Sequence, residues 1–307
     1  DGVGGLKLSA AMIDFERDPD RRTREAEPAP VSDPATPLST ARDAVADAAS
    51  RGLDAVRRTI GTAGHVATHP YELPGRASEA ARLLTSIQRQ AFVTDAARSD
   101  VASGRSLRRH FEIHEIPFDP LRAVAIKFGG TVNDAFITGL ASALGRYHQR
   151  AGSAVDELRL AMPISTRQRG DRSTNSFVPA RVLVPIQPAH DLGTLFGDVH
   201  EQLESAKQET AISAAEGLAG VIAGLPTSLR GTMTRSQART IDFGASNLRG
   251  SPVPLYIAGA RVIASYPFGP RTGTALNATV LSYCDELHLG LNLDPAAVAD
   301  PDGFMAD

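Results

Sequence analysis

Residues 276–293 read LNATVLSYCDELHLGLNL. In the second half of this stretch Leu287, Leu289, Leu291 and Leu293 alternate with His288, Gly290 and Asn292. That period of two predicts a strand with one apolar and one polar face. Leu276–Ser282 reads as the strand before it, and Cys284-Asp285 as the turn that folds the two into a hairpin. Working upstream, Leu255–Ala264, Arg181–Ile186, Leu158–Met162 and the imperfect alternation of Phe111, Ile113 and Ile116 within Arg109–Ile116 also read as strands. Between them lie a helix over Leu192–Lys207 and the strongest helix of the chain, TVNDAFITGLASALGRYHQR at 131–150. The latter gathers Val132, Phe136, Leu140, Ala143, Leu144 and Tyr147 on one face, with Thr131 as N-cap. Helices that alternate with strands place the chain in the α/β class.

The front of the chain is organised differently. After a glycine-rich opening, Val3, Leu6, Met12 and Phe15 recur at helical spacing. Residues 18–38, DPDRRTREAEPAPVSDPATPL, mix charge with proline and carry no apolar period, which reads as an exposed linker. Ser39–Ile60 reads as an amphipathic helix, with Arg42, Arg51, Arg57 and Arg58 on its polar face. Such a face is either solvated beside a packed helix or laid on an anionic membrane. A second polar stretch with Pro70, Pro74 and Gly75 follows, and a domain boundary is expected near residue 105.

Composition excludes several classes. The 307 residues are 42% hydrophobic, enough for one large or two ordinary domains. Thirty-two Lys and Arg against 35 Asp and Glu leave a formal charge of -3, without the basic field that nucleic-acid binding uses. One cysteine, Cys284, rules out a disulfide within the chain and a Cys-based zinc cluster, and suits a reducing, cytoplasmic setting. No apolar run reaches membrane-spanning length and the opening residues lack the basic start and apolar stretch of a signal peptide, so any membrane contact is expected to be peripheral. The dinucleotide fingerprint, the P-loop, HExxH and GxSxG are all missing.

Five short motifs remain: Asp1-Gly2, Thr131-Val132-Asn133-Asp134, Pro163-Ile164-Ser165-Thr166-Arg167, Ser246-Asn247 followed by Pro254-Leu255-Tyr256, and Leu276-Asn277-Ala278-Thr279-Val280 leading to Ser282-Tyr283. In this order and spacing, the chain resembles the bacterial wax ester synthase/diacylglycerol acyltransferase family along its whole length. Tyr256 departs from the family's Pro-Leu-Trp, and the chain has no tryptophan.

The resemblance implies the two-domain chloramphenicol acetyltransferase-like fold, with the tail of the first half in residues 1–17, a linker with amphipathic helices in 18–105 and the second half in 106–307. On this reading the first domain is incomplete here, because the signature HHxxxDG would supply only Asp1 and Gly2, and its general-base histidine falls upstream of residue 1. None of the eight histidines present rebuilds the motif. Asp1 is implied to hold the histidine loop through an arginine, and Gly2 to permit its tight backbone. Asn133 and Asp134 are implied to sit beside the reaction channel; read from the residues alone, Asp134 completes a capping box with Thr131. Ser246 and Asn247 either tie up their own loop backbone or line the cavity, and Pro254, Leu255 and Tyr256 pack the core or touch the acyl chain. Arg167 pairs with Asp1 or meets a coenzyme A phosphate.

The implied reaction moves a long acyl chain from acyl-coenzyme A, as co-substrate, to diacylglycerol or a fatty alcohol, with no metal or redox cofactor. Chemically, a hydroxyl becomes a competent nucleophile when a neutral imidazole takes its proton. Two other readings stay open: a non-catalytic lipid-binding or lipid-droplet module, and an acyltransferase of the same fold that uses a carrier protein as donor. The expected partners are the two substrates, a membrane or droplet surface, and an N-terminal fragment of the same protein as a second chain.

Overall fold

The computed structural model describes residues 13–18, 97–153, 155–165, 177–186, 191–215 and 240–307. The helix expected over 39–60, and most of the helix expected within 1–15 and of the linker at 18–38, lie outside these residues; at 13–15 the chain is not helical, since Asp14 bridges to Tyr256 and Phe15 is exposed rather than buried. The described part is built on a six-stranded mixed sheet. Its strands are β1 (His110–Pro117), β2 (Glu157–Ser165), β3 (Phe177–Pro185), β4 (Phe243–Arg249), β7 (Leu276–Tyr283) and β8 (Glu286–Leu293). They are ordered β1-β8-β7-β4-β2-β3. A two-stranded ribbon, β5 (Tyr256–Ile257) and β6 (Ala260–Arg261), stands apart. The helices are α1 (Phe118–Lys127), α2 (Val132–Arg150), α3 (Leu192–Ala215) and α4 (Pro301–Ala306).

The hairpin expected at 276–293 is present, with Leu276 opposite Leu293 and Tyr283 opposite Glu286. Cys284 takes a left-handed conformation at its turn, φ 52°. β7 runs parallel to β4 from Phe243–Leu276 to Arg249–Ser282. β4 runs parallel to β2 at two positions, Leu160–Phe243 and Ala161–Gly244, before the strands part. The stretch expected as a strand over 255–264 forms only the short ribbon. Its turn residues Ala258 and Gly259 both have positive φ, 51° and 82°, as a two-residue type I′ turn requires.

The expected helices over 131–150 and 192–207 both form, the second running on to Ala215. α2 starts in a capping box: Thr131 Oγ1 accepts the Asp134 amide at 3.3 Å, and Asp134 Oδ2 accepts the Thr131 amide at 2.8 Å. Phe136, Ile137, Leu140, Ala141, Leu144 and Tyr147 of α2 join Leu195, Val199 and Leu203 of α3 in one apolar core with Leu158, Leu160, Phe243, Leu276, Leu291 and Leu293 of the sheet. His148 of α2 is buried because both ring nitrogens are used: Nδ1 donates to the Leu144 carbonyl and Nε2 accepts from Ser99, each at 2.8 Å. Residues 97–105 already belong to this unit, since Ala102 is in the core and the Ser99 amide donates to Asp242.

The opposite face of the sheet departs from the simple alternation. His288 and Asn292 are 1% and 5% exposed, so the polar face of β8 is covered rather than solvated. The cover is the extended segment 262–270. The Ser265 amide donates to His288 Nδ1 at 3.1 Å, Asn292 Nδ2 donates to the Gly269 carbonyl at 3.0 Å, and Phe268 packs edge-on against Phe111 at 4.9 Å. Gly290 is what lets the segment descend so far: a Cβ there would lie 2.0 Å from the Pro267 carbonyl oxygen.

Asp294 anchors one end of this segment. It accepts from Ser106 Oγ and the Ser106 and Ala296 amides and forms an ion pair with Arg271. Burial by itself would raise its pKa, but these donors outweigh burial and hold the carboxyl at about 2. The charged form is thus favoured by folding. Its contribution is full above the unfolded value near 4 and is lost as pH falls toward 2.

Gly290→Ala is expected to destabilise the protein by about 1–3 kcal/mol in chemical denaturation, because backbone must yield to the new methyl. Gly139→Ala, on an exposed turn of α2 with no atom within 4 Å of the added carbon, should be neutral or stabilising by about 0.5–1 kcal/mol. Asp294→Asn is expected to cost about 3 kcal/mol at neutral pH, since it leaves the Arg271 charge buried without its partner. It should also flatten the stability loss between pH 4 and 2, read from melting curves across that range.

Candidate functional site

The C-terminal ends of the parallel strands gather Ser246, Asn247 and the Pro254–Tyr256 segment. Ser246 and Asn247 lie within β4, opposite Thr279 and Val280 of β7, and not in the loop that follows. Their alternation puts Asn247 on the face of Phe243 and Ala245, and Ser246 on the face of Gly244. Ser246 is half-buried and Asn247 exposed, because β2 has already parted from β4 and no longer flanks them. Past Arg249 the chain turns: the Gly250 amide donates to Ser282 Oγ at 3.1 Å and the Cys284 amide to the Ser251 carbonyl at 2.8 Å.

Pro254, Leu255 and Tyr256 follow directly, each partly buried. One buried hydroxyl organises them. Tyr283 Oη accepts from the Leu255 amide at 3.0 Å and donates to the Val262 carbonyl at 2.7 Å, so it closes the base of the ribbon. The Val262 amide donates in turn to the Leu255 carbonyl. Tyr256 then pairs with Asp14 through two backbone hydrogen bonds of 2.8 Å. The ribbon is where residues 13–18 meet the sheet unit.

Asn133 and Asp134 open α2. The C-terminal half of that helix, at Leu144, Tyr147 and His148, surrounds a small internal cavity with Leu158, Phe243 and Leu276 at the start of β2, β4 and β7. The helix therefore runs against those strands, and Asn133 lies about 17 Å back along its axis, toward the end that carries Ser246 and Asn247. Among the described residues no hydrogen bond joins Asn133 to Ser246 or Asn247.

Asp134 is fully buried, and the capping role read from the sequence is what the geometry shows. Sequence reasoning missed its second partner. His200 Nδ1, on α3, donates to Asp134 Oδ2 at 2.9 Å, while Asp134 Oδ1 is buried without a partner among the described residues. Sixty-six positions separate the two, and no local signal joins them. The carboxylate thus fixes one helix start and the imidazole of the next helix at once. Asp1, Gly2 and Arg167 lie outside the described residues.

Among the described residues the one set of three potential metal ligands is Glu115, Glu286 and His288. His288 Nδ1 accepts the Ser265 amide, so the neutral ring carries its proton on Nε2, the nitrogen that faces Glu286. That tautomer does not suit a metal ligand.

Two family models match the chain: "Wax ester synthase/diacylglycerol acyltransferase catalytic domain" over residues 1–136 and "WS/DGAT C-terminal domain" over 174–307. A putative diacylglycerol O-acyltransferase of Mycobacterium tuberculosis strain H37Rv is 28% identical over 313 residues, 99% of this chain and 61% of that protein. A probable diacylglycerol O-acyltransferase of strain CDC 1551 is 28% identical over 223 residues, 68% of this chain and 47% of that protein. The chain thus spans about three fifths of the length of the first of these relatives. A solved wax ester synthase/diacylglycerol acyltransferase from Marinobacter aquaeolei VT8 superposes with a TM-score of 0.51 at 21% identity, over 75% of this chain and 53% of that one, which shows the fold. The fold is chloramphenicol acetyltransferase-like, and the chain belongs to the wax ester synthase/diacylglycerol acyltransferase family.

Proposed function

We propose that the protein carrying this chain is an O-acyltransferase that moves a long-chain acyl group from acyl-coenzyme A to diacylglycerol or a fatty alcohol. The observation that carries this reading is the pair of family models that together span residues 1–136 and 174–307. The geometry supports it by collecting Asn133, Ser246, Asn247 and the Pro254–Tyr256 segment toward one end of the sheet, beside the ribbon that meets residues 13–18.

In this reading the general base is the second histidine of HHxxxDG, four positions ahead of Asp1. It takes the proton of the acceptor hydroxyl as that oxygen attacks the thioester carbonyl, and returns it to the leaving thiolate. The α2 N-terminus directs a positive dipole toward that end of the sheet, where negative charge develops in the tetrahedral intermediate. Asn133, in the first turn and partly exposed, is the side chain placed to accompany that dipole, whereas Asp134 is committed to the cap and to His200. The chemistry calls for no resident metal or redox group, since an imidazole and a dipole supply its proton transfer and charge stabilisation. Residues 1–17 in this reading end the first catalytic half, and the sheet unit, with residues 97–105 packed into it, forms the second.

Release of coenzyme A from palmitoyl-coenzyme A, with diolein or hexadecanol as acceptor, tests the reading in the full-length protein. Replacing the upstream histidine is expected to cut turnover by about 10² to 10⁴-fold. The 307-residue chain alone should show no turnover above background; robust turnover by it would place the base elsewhere. Asn133→Ala is expected to lower kcat by about 10²-fold, the lower end of the range for one lost donor at a polarised oxygen, with an unchanged melting temperature. Asp134→Ala should instead cost about 1–2 kcal/mol of stability through the lost cap.

A further inference from the structure

At the opposite end of the sheet, where β1 begins and β8 finishes, the segment Arg105–Arg109 (RSLRR) and the loop Phe268–Gly273 enclose an open groove of about 770 Å³. Ser246 lies opposite Thr279, about 10 Å along β7 from Leu276, and Gly269 of the groove wall lies over Asn277 and Thr279; the ribbon held by Tyr283 is farther, about 23 Å along the strand. The groove and the ribbon thus stand toward opposite ends of β7, and the groove's lining includes none of Asn133, Ser246, Asn247 or the Pro254–Tyr256 segment.

The groove is basic. Arg105, Arg109 and Arg271 line it, and Arg108 adjoins it in the chain. The one carboxylate on its wall, Asp294, is already committed to Arg271. Arg105 donates to the carbonyls of Ala102, Gly104 and Gly273, which fixes its position without neutralising its charge. The guanidiniums of Arg108 and Arg109 make no hydrogen bond or ion pair among the described residues. Positive charge is therefore left over on this surface.

The groove is also apolar at its mouth. Leu107 is 99% exposed, Phe111 50% and Phe268 44%, and all three line it. A free phosphate would use the arginines and leave these side chains in water; a soluble polar ligand would do the same. A lipid surface satisfies both, because headgroup phosphates meet the guanidiniums while the apolar side chains enter the interface. At the floor, Asn292 Nδ2 donates to the Gly269 carbonyl, and its buried Oδ1 has no partner among the described residues. A headgroup that brings a hydroxyl as well as a phosphate therefore suits the groove better than one that brings no donor.

We propose that this groove docks the protein on an anionic phospholipid surface, with headgroup phosphate on Arg105 and Arg109 and with Leu107, Phe111 and Phe268 in the interface. The test is co-sedimentation of the full-length protein carrying this chain with vesicles of equal parts phosphatidylglycerol and phosphatidylcholine, compared with phosphatidylcholine alone. Binding should be at least about tenfold tighter to the anionic vesicles and should weaken as salt rises. The double variant Arg108→Ala/Arg109→Ala, which removes no side-chain hydrogen bond or ion pair among the described residues, is expected to lose about 25-fold on the anionic vesicles, about fivefold for each arginine, with an unchanged thermal melt. Leu107→Asp should weaken the same binding. Equal binding to both vesicles, or undiminished binding by the double variant, would overturn the proposal. So would arginine-dependent binding of soluble coenzyme A that displaces the vesicles, since the groove would then be a coenzyme site.

Discussion

The sheet has two faces to close, and the described residues supply helices for one of them. α2, α3 and α4 cover the leucine side of β7 and β8, and the other side is closed by chain without regular structure, held at backbone distance over Gly290. Everything on that side depends on this approach. His288 keeps one tautomer because the Ser265 amide reaches it, Asn292 is anchored by the Gly269 carbonyl, and the loop that carries Arg271 is delivered to Asp294. A covering strand would satisfy its hydrogen bonds with a neighbouring strand; this segment satisfies them with side chains from the sheet beneath, which is why polar residues occupy β8 positions that are buried on both sides.

The second organising feature is the short contact between β2 and β4. Two parallel strands that part after Ala161 and Gly244 leave the C-terminal half of β4 flanked on one side only. A half-buried Ser246 and an exposed Asn247 are tolerated there because water can meet them, and this end of a parallel pair is where open α/β sheets place their ligands. The N-terminus of α2 lies toward the same end, and the Tyr283 hydroxyl holds the following ribbon at its edge.

Much of this architecture was readable from local pattern. The hairpin at 276–293, the strands at 158–162 and 181–186 and the capped helix at 131–150 all arise from side-chain periodicity that is decided within a few residues. β4 was not readable, because Gly244, Ser246 and Asn247 are poor strand formers, and its place depends on pairing with β7. α1 escaped notice for a related reason: of its residues only Ala125 is buried, so it has no strong apolar stripe to read. The burial of His288 and Asn292 likewise comes from a segment some twenty residues away. In the site, the Asp134 cap was legible from Thr131 three positions before it, whereas the His200 contact joins separate helices and exists only through packing. The basic groove was invisible as well, since Arg105 and Arg109 meet Arg271 only when β1 lies beside β8.

The contact between Asp14 and Tyr256 consists of two main-chain hydrogen bonds and draws on neither side chain. Amide-to-carbonyl pairing is indifferent to residue identity, so Tyr256 can accept substitution while the front of the chain stays in register with the ribbon. Evolution can therefore remodel what Tyr256 presents, including the bulk by which it differs from tryptophan, without disturbing how the two parts of the molecule join. The seam and the specificity of this region are, in effect, separately heritable.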